Sequence, residues 1–125
     1  YGWTHCLTMP QAVLAAIGAG ADPDIAIAVA ATYVLGFRAT QGQVALDPAW
    51  TPEPGTPAHG VWTAADDDLP GIVAELATFG AVHHDAHVAK YTLAGIDAAV
   101  DDPEAARLFL AAVAHLQQWW RDADR

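Results

Sequence analysis

The stretch VHHDAHVAKYTLAGIDAAV, residues 82–100, decides the fold: it is long, free of proline, and spaces its apolar residues as a helix does rather than as a strand. At ~100° per residue, Val82, Ala89, Leu93, Ile96 and Val100 fall on one side. We therefore expect a helix over 82–100 with that side toward the core. His83, His87 and Tyr91 gather on the other side within ~100°, with His84 at the margin and Ala94 and Ala98 among them. A solvated face usually carries Glu, Lys and Arg, whereas here only Lys90 and Asp97 stand at its edge. The face reads as a cavity wall in which small residues leave room and His and Tyr supply polar contacts; a structural hydrogen-bonding seam is the competing reading.

Working outward, the flanking segments are also helical. Thr8, Pro10 and Gln11 match a capping box with proline in the first turn, so a first helix is expected from there to about Ile17, stopped by Gly18 and Gly20. Asp22, Pro23 and Asp24 open a second, which reaches about Thr40 with Arg38 near its negative end. Residues 43–63 hold Pro48, Pro52, Pro54, Pro57, Gly55 and Gly60, and predict a long loop. Its apolar anchors Trp50, Val61 and Trp62 suit either a lid or a plain crossover. Asp66, Asp67, Asp68 and Pro70 cap a third helix over 70–79, and the sequence Asp101, Asp102, Pro103, Glu104 ends the fourth and starts a fifth, 104–121. The expectation is an all-α chain: one domain over 1–125, an irregular antiparallel bundle of about five helices with a single long Pro-rich crossover loop.

Composition narrows the function. With 54% hydrophobic residues, a chain of 125 can bury a core. Fifteen acidic residues against five Lys and Arg give a formal charge of −10, which repels phosphate backbones and anionic lipid, so neither nucleic acid nor membrane is expected as a partner. Cys6 stands alone and makes no intrachain disulfide, and no run approaches the ~20 apolar residues of a membrane span, which points to a soluble, cytoplasmic protein. The chain opens on Tyr1 rather than Met and lacks a signal-peptide pattern, from which we expect a portion of a longer enzyme.

His83 and His87 have the i, i+4 spacing that lets two imidazoles reach one metal ion from a helix, and His84 with His87 offers the i, i+3 variant. No H-E-x-x-H is present, and on the wheel Asp85 points away from His87. His115, beside Leu108, Leu116 and Trp119, reads as a packing histidine, and His59 as an exposed one. Trp3, Thr4, His5 and Cys6 precede the first helix start, where His5 is placed to close the cavity; Cys6 reads as a buried structural thiol rather than a nucleophile. No G-x-G-x-x-G occurs for a dinucleotide.

WTHCLTMPQAVLAAI near the start and HVAKYTLAGIDAAV later resemble two segments of the questin oxidase-like family: an aromatic-x-H-x-x-T element before a Pro-Ala-rich helix, and H-x-x-K-[YF]-T before an apolar one. The resemblance covers about half of the chain. It implies an oxygen-dependent oxidase or monooxygenase that opens rings of polycyclic aromatic substrates, using NADPH and molecular oxygen. Carried over to matching positions, it puts His5, His87, Lys90 and Tyr91 in the catalytic site. The histidine spacing, rather than the resemblance, adds an expected transition metal, iron or zinc, on His83, His87 and His5, and the tryptophans Trp3, Trp50 and Trp62 are expected to stack on an aromatic small-molecule substrate. The family has further histidines upstream that this chain lacks, and His83-His84 is extra to its pattern. The opposing expectation is a non-catalytic helical binding or assembly module with structural histidines, docking a further protein segment or a second copy of itself through Trp119-Trp120 and its Ala-rich faces.

Overall fold

The computed structural model describes residues 2–41, 45 and 47–123, the side chains of Gly2 and Trp3 excepted. The described residues form six α-helices and no strand: α1 (Gly2–Gly18), α2 (Pro23–Thr40), α3 (Pro57–Thr63), α4 (Leu69–Val82), α5 (Ala86–Asp101) and α6 (Ala106–Ala123), with a 3₁₀ turn at Asp66–Asp68. The all-helical expectation holds. The helices fall into two compact units, Tyr1–Pro48 and Ala49–Arg125.

In the first unit α1 packs on α2. Gly20 adopts φ +99°, which a side chain would resist, and lets its N–H reach Ile17 C=O at 2.9 Å while Ala21 N–H reaches Ala16 C=O at 3.0 Å, closing α1. Asp22 then caps α2, its Oδ1 accepting from the N–H groups of Asp24 (3.0 Å) and Ile25 (3.1 Å). The start of α1 differs from expectation. The helix already runs from Gly2, so Thr8 lies buried within it instead of capping, and Pro10 sits inside, leaving Cys6 C=O without its usual N–H donor.

In the second unit α6 is the central element, with α3, α4 and α5 packed against it. The core joins Ala58 and Val61 of α3, Leu76 of α4, and Leu110, Ala111, Val113 and Ala114 of α6, with Trp62, Ile72, Tyr91 and Ile96 around it. Residues 57–63, expected to be loop, are therefore helical: Thr56 caps them through Oγ1 to His59 N–H (3.2 Å), and Pro57 occupies the first turn, where proline costs no hydrogen bond. Arg107 fastens α6 to this corner, donating to Val61 C=O (3.3 Å) and pairing with Asp66.

The largest departure concerns α5. Its buried face is Val88, Thr92, Ala94, Gly95 and Ala98, whereas Val82, Leu93 and Val100 of the expected core stripe are 77%, 60% and 73% exposed. The small residues are a packing surface, not a cavity wall. Gly80 of α4 lies so close to Thr92 that an added Cβ would stand 2.9 Å from Thr92 Cβ, and a Cβ at Gly95 would overlap Val113 of α6. Gln117, 1% exposed, locks the three helices, its Nε2 donating to Leu76 C=O and Thr92 Oγ1, both at 2.9 Å. No described helix is long and apolar enough to cross a membrane.

Candidate functional site

The helix expected over 82–100 is interrupted at its N-terminal end. α4 ends at Val82 with His83 as its cap in extended backbone, and α5 begins only at Ala86. His83 and His84 thus lie in the connection, stacked on each other at 4.6 Å, with Phe79 5.2 Å from His83 and the Arg121 guanidinium 4.1 Å above the Phe79 ring. The i, i+4 and i, i+3 relations to His87 do not exist as helical geometry.

Asp85, set aside by the wheel, organises the connection. It caps α5 by accepting His87 N–H at 2.8 Å, and the same Oδ1 accepts from His87 Nδ1 at 2.8 Å. Its other oxygen accepts the indole N–H of Trp120, a buried residue of α6, at 3.3 Å. These donors, the backbone N–H first, hold the Asp85 carboxyl below the usual carboxylate range. With Nδ1–H directed at a carboxylate, neutral His87 keeps Nε2 as its basic nitrogen, and 58% of its side-chain surface is exposed. The sequence held a signal for this: an Asp directly ahead of a helical run is an N-cap, legible only if the helix starts at Ala86.

His83 is oriented the opposite way. Its Nδ1 accepts Asp85 N–H at 3.1 Å, so in the neutral ring the proton sits on Nε2. A metal on Nε2 would move that proton to Nδ1, against another N–H donor. His83 as held here is therefore not set to ligate a metal through Nε2, and among the described residues no three His, Cys, Asp or Glu side chains are grouped to hold one.

The other expected residues sit in differing surroundings. Lys90 is exposed on α5, one turn beyond His87, whereas Tyr91 packs against the core and burial pushes its hydroxyl up to about 12. Trp62 is half-buried against the same core, Trp50 is 56% exposed, and the Trp3 side chain lies outside the described residues. His115, expected to pack, is exposed, and His59, expected exposed, is half-buried. In the first unit His5 is half-buried within α1, its ring stacked on Tyr33 of α2 at 6.2 Å and its Nδ1 3.3 Å from Thr4 Oγ1. Cys6, expected to be buried, is half-buried, and partial burial raises its thiol.

Each unit has a hollow among its described residues. In the first, Met9, Ile25, Ala28, Val29, Thr32 and Tyr33 line about 520 Å³ open to solvent. In the second, Val61, Ile72, Leu76 and Ala114 floor about 380 Å³, with Glu75 and Arg121 among its walls. No family model, curated protein or solved structure matches the chain.

Proposed function

We propose that the chain is an oxygen-dependent oxidase or monooxygenase of the questin oxidase-like type, acting on an aromatic small molecule, with His87 as its proton-transferring residue. The observation that supports this is the Asp85–His87 pair: a carboxylate at 2.8 Å from Nδ1 fixes the ring and its tautomer and stabilises the imidazolium that forms when Nε2 takes a proton. A phenol is a suitable proton source, and the Lys90 ammonium, one turn further along α5, places positive charge on the side where a phenolate would develop. Molecular oxygen and NADPH are the co-reactants of this reading. His83 is not oriented to ligate a metal, and no step of this reading is routed through one. Oxygen uptake by the purified protein, given NADPH and a hydroxylated anthraquinone, tests the reading. Uptake that falls at least about a hundredfold in His87→Gln supports it; no uptake by the unaltered protein, or equal uptake by a folded His87→Gln variant, refutes it.

A second reading, a non-catalytic helical binding module, is favoured by the exposure of Leu93, Val100 and Trp119 on the second unit, at 60%, 73% and 51%. Under it Asp85 and His87 only cap α5, and His87→Gln leaves every binding property unchanged.

A further inference from the structure

The hollow of the second unit is built by three helices. Val61 of α3, Ile72 and Leu76 of α4, and Ala114 of α6 supply its apolar floor, and α4 and α6 each add one charge to its walls. Glu75 stands beside Leu76 on α4, and Arg121 follows Ala114 by seven residues, two turns along the same face of α6. At about 380 Å³ the hollow lies at the small end of the range for ligand sites, ~300–1,000 Å³. Neither charge is used within the unit. Among the described residues the Glu75 side chain has no ion pair or hydrogen bond, and the half-buried Arg121 guanidinium has only the Phe79 ring at 4.1 Å, which attracts its charge without neutralising it. Arg107, the other arginine of α6, does pair with a carboxylate, that of Asp66.

We infer that this hollow binds an α-amino acid with an apolar side chain, its carboxylate on Arg121, its ammonium toward Glu75 and its side chain on the floor. A plain anion would face Glu75 and the net charge of −10, and a plain cation would face Arg121. An uncharged molecule would strip water from Arg121 and replace none of its hydrogen bonds. A zwitterion answers both walls at once and adds no net charge. The guanidinium can hold a carboxylate through two parallel N–H donations, whereas the exposed Glu75 supplies a weaker contact screened by solvent. Val61, Leu76 and Ala114, only 5%, 7% and 2% exposed, offer no polar side chain, which selects an aliphatic or aromatic side chain on the ligand. Asp85 and His87 do not line the hollow, so the inference stands apart from proton transfer there.

Isothermal titration calorimetry of the protein with L-phenylalanine, 3-phenylpropanoate, phenethylamine and glycine tests the inference. L-Phenylalanine is expected to bind at one site per chain. Phenethylamine, which lacks the carboxylate, binds at least about tenfold more weakly, and 3-phenylpropanoate, which lacks the ammonium, roughly threefold more weakly. Glycine, without a side chain, gives no binding. Arg121→Gln weakens phenylalanine about tenfold and removes its advantage over phenethylamine. Glu75→Gln, an exposed change, removes the advantage over 3-phenylpropanoate, and circular dichroism confirms that both variants keep their helix content. No binding of L-phenylalanine at millimolar concentration overturns the inference. So does equal binding of the three phenyl compounds, or binding that depends on neither charge or on only one of the two.

Discussion

Replacing Gly95 by Ala puts a methyl group where α5 touches α6. The new Cβ would overlap Val113 Cγ2 and stand 3.5 Å from the Phe109 carbonyl oxygen, and Val113 is 0% exposed. A β-branched side chain in a helix has one strongly favoured rotamer, so Val113 has little room to turn away. Relief requires the two helices to separate, loosening Ala98, Leu110 and Ala114 as well. Overpacking of this kind costs ~1–3 kcal/mol, and at a site fixed on both sides the upper part of that range applies. Alanine offsets ~1 kcal/mol through its better helix propensity, leaving a net loss of about 2 kcal/mol. Val113→Ala alone loses two buried methyls, about 2 kcal/mol or more. In the double variant the methyl introduced at position 95 fills the space that the valine vacates, so the losses are not additive and the coupling is favourable by at least ~1 kcal/mol. Urea unfolding followed by tryptophan fluorescence, in which Trp119 and Trp120 report on α6, measures all four corners of the cycle. Additivity to within ~0.5 kcal/mol, or a Gly95→Ala variant more stable than the parent, would refute the close packing of α5 on α6.

Three further outcomes follow from the second unit. Gln117→Ala removes both buried donations to Leu76 and Thr92 and opens a void, and urea midpoints should report a loss of ~2–4 kcal/mol. Asp85 has a depressed carboxyl, so its stabilising effect is present above the unfolded value and is lost as pH falls below about 4; Asp85→Asn should therefore lower the melting temperature at neutral pH and converge with the parent in acid, and parallel melting curves at both pH values would contradict the capping role. Tyr91, raised to about 12, should be no more than about a tenth phenolate at pH 11 while the protein stays folded, as the absorbance difference from Tyr91→Phe will show.

Local signals place most of the helices but not their packing. Asp22 ahead of Pro23, together with the Gly18–Gly20 break, makes the start of α2 readable because cap and turn chemistry depend on near neighbours. The wheel misplaces the α5 face because it runs through His83 and His84, which are not helical, and because it assigns large apolar residues to the core. Close helix approach instead selects Gly95, Ala94 and Ala98 for burial and leaves Leu93 and Val100 exposed, a choice that depends on Val113 of α6 rather than on anything within α5. Proline density hides α3 for a similar reason: Pro57 is a helix starter once Thr56 caps it, and Val61 commits the short helix to the core. Of the candidate site, His87 is legible as a residue, but its partner is not. Asp85 Oδ1 lies 2.8 Å from His87 Nδ1 because Asp85 is a cap, and a continuous helix would have turned the two apart.

The tautomer of His87 tests the account most directly. Long-range ¹H–¹⁵N correlation spectra of imidazole-labelled protein, at a pH where the ring is neutral, should show His87 with its proton on Nδ1 and an unprotonated Nε2, and Asp85→Asn should shift the population toward the Nε2–H form that free histidine prefers. His83 should show the reverse assignment, Nε2–H, in the same spectrum. A His87 ring that is Nε2-protonated in the parent, or one unmoved by Asp85→Asn, would contradict the proposal that Asp85 orients it for proton transfer.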